Sequence, residues 1–546
     1  MDDVADVVVI GAGASGLAAA IAAHDAGARV CIIEKAAALG GTAAISGGVV
    51  WAPGNSHFPV DERSDDRRAA KAYFGALCSD LDPDVLAAFV DQAGEAIAFL
   101  EAATSLKFGV LEGYPDYYLD RPGARAGGGR ALDADLFDFN RLGDWRNRVF
   151  VGGPVSRLML RETPLGGATA LPSADVFAAR IAGDLRGFGQ AVVGALLEGC
   201  LARGIVPLLN TPASRLVVED DVVVGVESRD EGTVRRFTAR RGVILATGGF
   251  EWNRDLTRAF LRGPMTHPAS PPMASGDGLK LAQRIGVGLG NMTSAWWAPT
   301  MTPSGDTWSD GSARSAPVLI ERTLPGAIMV NRSGRRFCNE ATNYSALGGA
   351  FHQFDPQTYD WANLPAWLVF DAAYKAKYAV GPAAPGPETP DWITRSATLA
   401  GLAAAIGCDP AGLEATVERF NSFARQTIDP DFKRGDSPYD TFYGDRSRAG
   451  KAATLGPLET APYFAVPITM GVLGTNGGVR TDALGRALDP DGAVIDGLYA
   501  IGNVMAAPTG TVYAGAGGTL GPALTFGYIA GRHAAARSNS RKPVTI

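Results

Sequence analysis

ADVVVIGAGASGLAAAIAAHDAGARVCIIEK, residues 5–35, decides the fold. It reads as a β-rich apolar run, a tight glycine turn, an alanine-rich helix and a second apolar strand ending in an acid, which is a βαβ unit. Gly11, Gly13 and Gly16 form G-x-G-x-x-G, and Glu34 follows 18 residues after the last of them. In this spacing Gly11 permits the turn, Gly13 lets the backbone approach a pyrophosphate, and Gly16 lets the helix pack close to the strand. The helix N-terminus at Ala14 and Ser15 offers amides and a positive dipole end to phosphate, while Glu34 can accept from ribose hydroxyls. The expected ligand is a dinucleotide.

The next stretch, AAALGGTAAISGGVVWAPGN at 36–55, chooses between two dinucleotides. It places Gly40, Gly41, Thr42, Ser46, Gly47 and Gly48 directly after the ribose acid. A nicotinamide nucleotide has no need of a second small-residue segment, whereas an extended FAD requires the chain to follow its ribityl and flavin. These residues resemble the fumarate reductase and succinate dehydrogenase flavoprotein superfamily, whose pattern after the acid is close to GGTSxxSGG. No histidine lies between His24 and His57, so non-covalent FAD is expected. Two later strands agree with the resemblance: RRGVILATGGFEWN brings Ala246, Thr247, Gly248 and Gly249, and GLYAIGNVMA brings Gly502 and Asn503. Lys35, Asp277, Gly278 and Leu520 complete the expected cofactor set.

Composition narrows the rest. The chain has 546 residues, 46% hydrophobic and 20% charged, an ordinary globular balance. A net charge of -7 without a long basic run gives no footprint for nucleic acid. Cys31, Cys78, Cys200, Cys338 and Cys408 are scattered without CxxC, which fits unpaired thiols in a reducing compartment. No metal site is expected, because the histidines, His267 and His352 included, show no ligand spacing. The acidic N-terminus lacks a signal-peptide pattern, and no apolar run reaches the roughly 18 residues that span a bilayer. The expected location is cytoplasmic, with contact to a membrane surface open through a membrane-soluble substrate.

The expected fold is α/β, a Rossmann-like FAD-binding domain with an inserted β-meander and an inserted α+β substrate (capping) domain. The meander is read from RLVVEDDVVVGVESRDEGTVRRFTARRGVILA, and a helix is expected over 187–204. Residues 119–170 lack periodicity and read as an irregular covering segment. Aromatics and prolines mark a change of character from about 286 to 451, where Trp296 and Trp297 read as core or pocket wall and Asp409-Pro410 as a helix start. The boundaries follow as 1–285 and 452–546 for the FAD domain and 286–451 for the insertion.

Three departures from the fumarate reductase pattern bear on the substrate. In place of NExTTRD the chain has Asn339-Glu340-Ala341-Thr342-Asn343-Tyr344, in place of HHTMGG it has LGTNGG at 473–478, and Thr519 stands where NRLGGNA carries arginine. A dianionic substrate needs cationic partners at these points. Their loss implies a substrate that is uncharged where it meets the flavin.

The pattern that replaces them resembles the FAD-dependent 3-ketosteroid Δ1-dehydrogenases. These carry ERxLPGxIMVNxxGxRFxNE followed by PY or a variant, YPGPGxxxGPA, and DYY or DYH. Here the stretches are ERTLPGAIMVNRSGRRFCNEATNY, YAGAGGTLGPA and PDYYLD. The resemblance implies C1=C2 desaturation of a 3-oxosteroid A ring, with Tyr344 as the base for the C2 proton. Tyr513 and the Gly517 amide then donate to the C3 carbonyl oxygen, and the C1 hydride goes to FAD N5. A phenol titrates near 10, and Tyr117 or Tyr118 hydrogen-bonded to Tyr344 would help it act at neutral pH. Asn343 stands in place of the proline before the tyrosine, and Ala514 and Ala516 in place of the two prolines of YPGPG. The expected partners are a hydrophobic ketone, most simply a 3-oxosteroid, and an electron acceptor the sequence does not name. Three other readings remain: a Δ4-type dehydrogenase, an ene-reductase on a non-dicarboxylate, and a flavin-binding electron carrier without a substrate.

Overall fold

The computed structural model describes residues 2–153, 155–230 and 233–538. The chain divides into two compact units, Met1–Phe260 with Met273–Ala295 and Gly474–Ile546, and Leu261–Pro272 with Trp296–Leu473.

In the first unit the run Val7-Val8-Val9 is apolar without alternation and fully buried, as central parallel strands are. Its strand, Asp2–Ile10, lies between Val30–Ile33 and Thr233–Leu245, and Val494–Ala500 extends the parallel order. Val8 pairs with Cys31 on one side and Val243 on the other, and Val243 pairs with Leu498. Both late strands expected from the sequence thus return to the nucleotide sheet. The meander is present as Ala213–Glu219 and Val222–Asp230, antiparallel and feeding into Thr233–Leu245. Asp220 and Asp221 between its strands both hold positive φ, as a type I′ hairpin turn requires.

The helix after the glycine turn, Ala14–Asp25, is buried along most of its length. It packs against the C-terminal helix Leu520–Ala536, in which Gly527 and Gly531 approach the Ser15 and Ala19 carbonyls; an added Cβ would sit 2.8 and 2.4 Å from those oxygens. The helix expected at 187–204 spans Phe188–Ala202.

Residues 119–170 are a correction. They are not irregular throughout, because Gly128–Ala134 is the central strand of a sheet with Val49–Trp51 and Phe108–Glu112. Arg130 and Asp133 hide it by interrupting its apolar pattern, and each is buried in an ion pair, Arg130 with Asp66 and Asp133 with Arg161.

The second unit is built on a sheet ordered Ala316–Pro317, Ala295–Met301, Tyr463–Thr475, Ala366–Asp371 and Ala327–Asn331, the first two strands antiparallel to each other and the last three antiparallel in turn. Leu402 from the helix Leu399–Ile406, and Leu413, Val417 and Phe420 from Pro410–Ala424, pack on Ile328, Val330 and Val369 of the sheet. Asp409 caps the second helix, its carboxylate accepting from the Gly412 amide at 3.1 Å. This unit is α+β, but its limits differ from 286–451. The strand Tyr463–Thr475 pairs with Ala366–Asp371 and so carries residues after 451 into it. Residues 261–272 join it through the Ala269 amide on the Val472 carbonyl, 2.9 Å, and the Pro264 carbonyl against His352 Nε2, 3.1 Å.

Buried charge holds the segment that precedes Tyr344. Arg336 forks onto Glu340, 2.7 Å at both nitrogens, and onto Asp429, while Arg434 reaches Glu340 at 3.2 Å. Burial pushes the Glu340 carboxyl up, but Arg336 and Arg434 outweigh it and hold it below its usual range. A depressed folded pKa contributes stability that is complete above the unfolded value, about 4.3, and is lost as pH falls through the folded one. Glu340→Gln should therefore cost about 3–5 kcal/mol at neutral pH, and circular dichroism should show a shallower acid limb below about pH 4 than in the wild type. Parallel acid limbs in the two proteins would refute this role for Glu340.

Candidate active site and cofactor cradle

The glycines of the first turn divide by function. Gly11 lies at φ +107°, and a Cβ there would stand 2.4 Å from the Ala246 carbonyl oxygen. At Gly16 it would stand 2.0 Å from the Gly11 oxygen and 3.2 Å from the Ala246 Cβ. At Gly13 the nearest atom is the Gly40 oxygen, 4.0 Å away. The outer two glycines serve backbone packing, and the middle one keeps space open ahead of the helix.

The second glycine stretch lies alongside the first. Gly13 and Gly40 form a parallel bridge, and the Gly40 amide donates to the Ala12 carbonyl at 2.9 Å. Gly41 lies at φ +49° and Gly248 at +73°, with nothing within 4 Å of a Cβ on either, and Gly47 meets only Leu160 at 3.7 Å. Thr42 falls in the short helix Gly41–Ile45, and Ser46 Oγ ends it by donating to the Ala43 carbonyl at 2.8 Å. Gly48 instead packs on Phe188, where a Cβ would be 2.4 Å from the carbonyl carbon.

The remaining expected contacts are also on the first unit. Glu34 accepts from the Ala12 and Ala36 amides, 2.9 Å each, and its remaining lone pairs can take ribose hydroxyls. Burial pushes its carboxyl up, against the Ala12, Ala36 and Lys35 amides and the Lys35 charge. Lys35 and Asp277 meet each other at 2.5 Å and share Ser275. Gly278 packs on Thr247, whose buried hydroxyl has no partner among the described residues. Gly502 lies against Ser15 Oγ, Asn503 follows it in a tight turn, and Leu520 opens the C-terminal helix. Open glycines, an orphaned hydroxyl, a helix N-terminus and an acid with free lone pairs fit a bound FAD.

A second cluster lies around the strand Val49–Trp51. Gly515, Gly517 and Gly521 are all pressed onto Trp51: a Cβ would stand 2.6 Å from the indole at Gly515, 2.5 Å from the Trp51 amide nitrogen at Gly517, and 2.1 Å from its carbonyl oxygen at Gly521. The Trp51 amide donates to the Gly517 carbonyl at 3.2 Å, and its indole N–H to Asp116 at 2.9 Å. Asp116 also takes Arg130 at 2.7 Å. The next residue, Tyr117, stacks on Tyr513 with ring centroids 5.6 Å apart and planes at 18°. Thr519, at the place of the missing arginine, lies within 3.4 Å of the Tyr513 hydroxyl. Tyr118 is half-buried, and its amide donates to the Tyr73 hydroxyl at 2.9 Å.

Tyr344 belongs to the second unit and is 7% exposed. The fully buried Arg322 fixes the backbone before it, donating to the Val318, Glu340 and Thr342 carbonyls. Asn343 accepts from the Ala346 amide at 2.9 Å and turns the chain just past Tyr344. Trp297 packs on Gly348 and edge-on to His352, in the core of the same unit.

Sequence reading missed Trp51, Tyr73, Tyr114 and Asp116. Tyr114 is hydrogen-bonded to Tyr117, and burial drives its phenol far up. Tyr73 sits in the helix Arg63–Leu77 beside the equally buried Phe74, so helical spacing alone gives no sign of what its hydroxyl meets.

The family model described as FAD binding domain matches residues 6–520. The chain is 40% identical to 4-oxocyclohexanecarboxylate 2-dehydrogenase of Sinomonas cyclohexanicum, covering 96% of this chain and 92% of that one. It is 38% identical to 3-oxosteroid 1-dehydrogenase of Mycobacterium tuberculosis, covering 98% and 99%. Among solved structures, 3-ketosteroid delta1-dehydrogenase from Sterolibacterium denitrificans, in complex with 1,4-androstadiene-3,17-dione, superposes with a TM-score of 0.89 at 34% identity, over 98% of this chain and 100% of that one. The chain belongs to the FAD binding domain family and, within it, to the 3-ketosteroid Δ1-dehydrogenase family of flavoproteins. It is a FAD-dependent oxidoreductase, and no helix among the described residues is long and apolar enough to cross a membrane.

The cradle yields a paired prediction. Gly16→Ala should destabilise the apoprotein by about 1–3 kcal/mol through overpacking, whereas Gly13→Ala should leave apoprotein melting unchanged and weaken FAD retention. Thermal unfolding with and without FAD, together with the 450 nm absorbance after gel filtration, separates the two; equal effects on the apoprotein would defeat the distinction.

Proposed function

We propose that this protein desaturates a cyclic ketone next to its carbonyl, and that the substrate is a 3-oxosteroid whose A ring gains a C1=C2 bond. The observation that carries the reading is the Tyr513–Gly517 loop. Its tyrosine is buried and stacked on Tyr117, and its glycine is seated on Trp51. Among the described residues the Gly517 amide has no backbone acceptor. Such a loop can present a hydroxyl and an amide to one carbonyl oxygen.

The residues would act as follows. Tyr513 Oη and the Gly517 amide donate to the C3 oxygen and stabilise the negative charge it gains as the C2–H bond breaks. One such donor is worth about 3–4 kcal/mol in the transition state. Tyr344, ionised to its phenolate, takes the C2 proton on its oxygen and becomes a neutral phenol. When bound, FAD supplies the two-electron acceptor for the C1 hydrogen. The electrons of the C2–H bond then form the C1=C2 bond, and an external acceptor must reoxidise the protein. Thr519 at the arginine's position agrees with a neutral ketone, since the threonine is engaged with Tyr513 and offers no cation to a second carboxylate.

The 40% relative supports a second reading with the same chemistry, in which the ketone is monocyclic and bears a carboxylate on the ring carbon opposite its carbonyl. Anaerobic addition of androst-4-ene-3,17-dione or 4-oxocyclohexanecarboxylate decides between them, the true substrate bleaching the flavin near 450 nm. If neither ketone bleaches the flavin, the desaturase reading falls.

Tyr513→Phe should keep its flavin and lose about 100-fold or more in kcat, and Tyr344→Phe about 100- to 10,000-fold, in turnover with an artificial acceptor. A rate near that of the wild type in either variant would remove that tyrosine from its role.

A further inference from the structure

Half of the loop 513–518, Tyr-Ala-Gly-Ala-Gly-Gly, is glycine, the residue that loses most backbone freedom on being fixed. Its own sequence supplies no stiffness. Its donors are useful only if they are held to within a fraction of an ångström of the oxygen they serve, so something outside the loop must hold it.

The structure supplies that tether at one carbonyl. The Ala514 oxygen accepts from the Tyr117 amide at 3.0 Å and from the Tyr73 hydroxyl at 3.0 Å, which occupies both of its lone pairs. The Tyr73 oxygen in turn accepts from the Tyr118 amide at 2.9 Å. One buried phenol on the helix Arg63–Leu77 therefore joins two segments, 117–118 and 513–514, whose tyrosines stack on each other. Tyr73 has no exposed surface, so water cannot replace either bond. Burial and the neighbouring Asp116 push its phenol far up, so it remains a protonated donor.

We propose that Tyr73 is a positioning residue for the carbonyl-binding loop, fixing Ala514 so that the Tyr513 hydroxyl and the Gly517 amide converge on the ketone oxygen. The inference rests on the proposed desaturation for its effect on rate, but the tether itself can be tested without turnover.

Tyr73→Phe keeps the ring and removes only the oxygen. In the FAD-loaded full chain it should lower kcat about tenfold or more with KM within about twofold. Flavin content and melting temperature should stay close to the wild type. Hydrogen–deuterium exchange in the peptide spanning 511–518, measured without substrate, should rise at least several-fold over the wild type. Adding Ala514→Pro to Tyr73→Phe restrains the loop by another means and should lower that exchange again and recover part of the kcat. Unchanged exchange in the loop of Tyr73→Phe would overturn the tether, and wild-type kcat in the same variant would overturn its role in positioning. Should neither ketone reduce the wild-type flavin, the desaturase reading fails, while the exchange result still decides whether Tyr73 fixes the loop.

Discussion

Backbone meeting backbone without an intervening side chain is the constraint on which the first unit depends. The helix Ala14–Asp25 can start where it does only because Gly16 lies against the Gly11 oxygen and Gly11 against the Ala246 oxygen. That contact joins the turn after the first strand to the end of Thr233–Leu245, although more than two hundred residues separate them. A methyl at either glycine would stand only 2.4 or 2.0 Å from a backbone oxygen, and making room for it would force the turn away from the strand or the helix away from the turn. The same contact leaves Gly13 facing open space at the helix N-terminus, where the glycine spacing leads one to expect a pyrophosphate.

A second close approach organises the loop 513–518. Gly515, Gly517 and Gly521 lie on Trp51, and the indole is fixed through Asp116 to a buried Arg130. The loop therefore rests on a short strand that begins just after the second glycine stretch of the cradle. The elements that shape the proposed FAD cradle and the loop that carries Tyr513 share one piece of chain, 40–51. In the second unit buried guanidiniums serve a comparable purpose: Arg322 holds carbonyls just before Tyr344, and Arg336 and Arg434 neutralise Glu340.

Some of this was legible in the residues and some was not, for reasons that can be named. The βαβ unit, the meander and the return of two late strands followed from local signals, because glycine spacing and uninterrupted apolar runs are local properties. The strand Gly128–Ala134 was hidden by a buried arginine and a buried aspartate, whose partners Asp66 and Arg161 lie far off in sequence. The limits of the second compact unit differ from 286–451 for a similar reason, since Tyr463–Thr475 pairs with Ala366–Asp371, a partner that nothing local names. Tyr73 is the sharpest case, as its hydroxyl meets Ala514 across 441 positions.

The sequence by itself determined the cofactor class, the parallel nucleotide sheet and the replacement by Tyr344 and Thr519 of the arginines in the fumarate reductase pattern. Those depend on which residue types occur at short, fixed spacings, and spacing is written in the chain. Only the tertiary structure decided that Tyr513 stacks on Tyr117, that three glycines of the closing segment are seated on Trp51, and that one carbonyl of that segment is held by a distant phenol. These are contacts between segments with no mutual spacing, and they come into being only when packing brings the segments together.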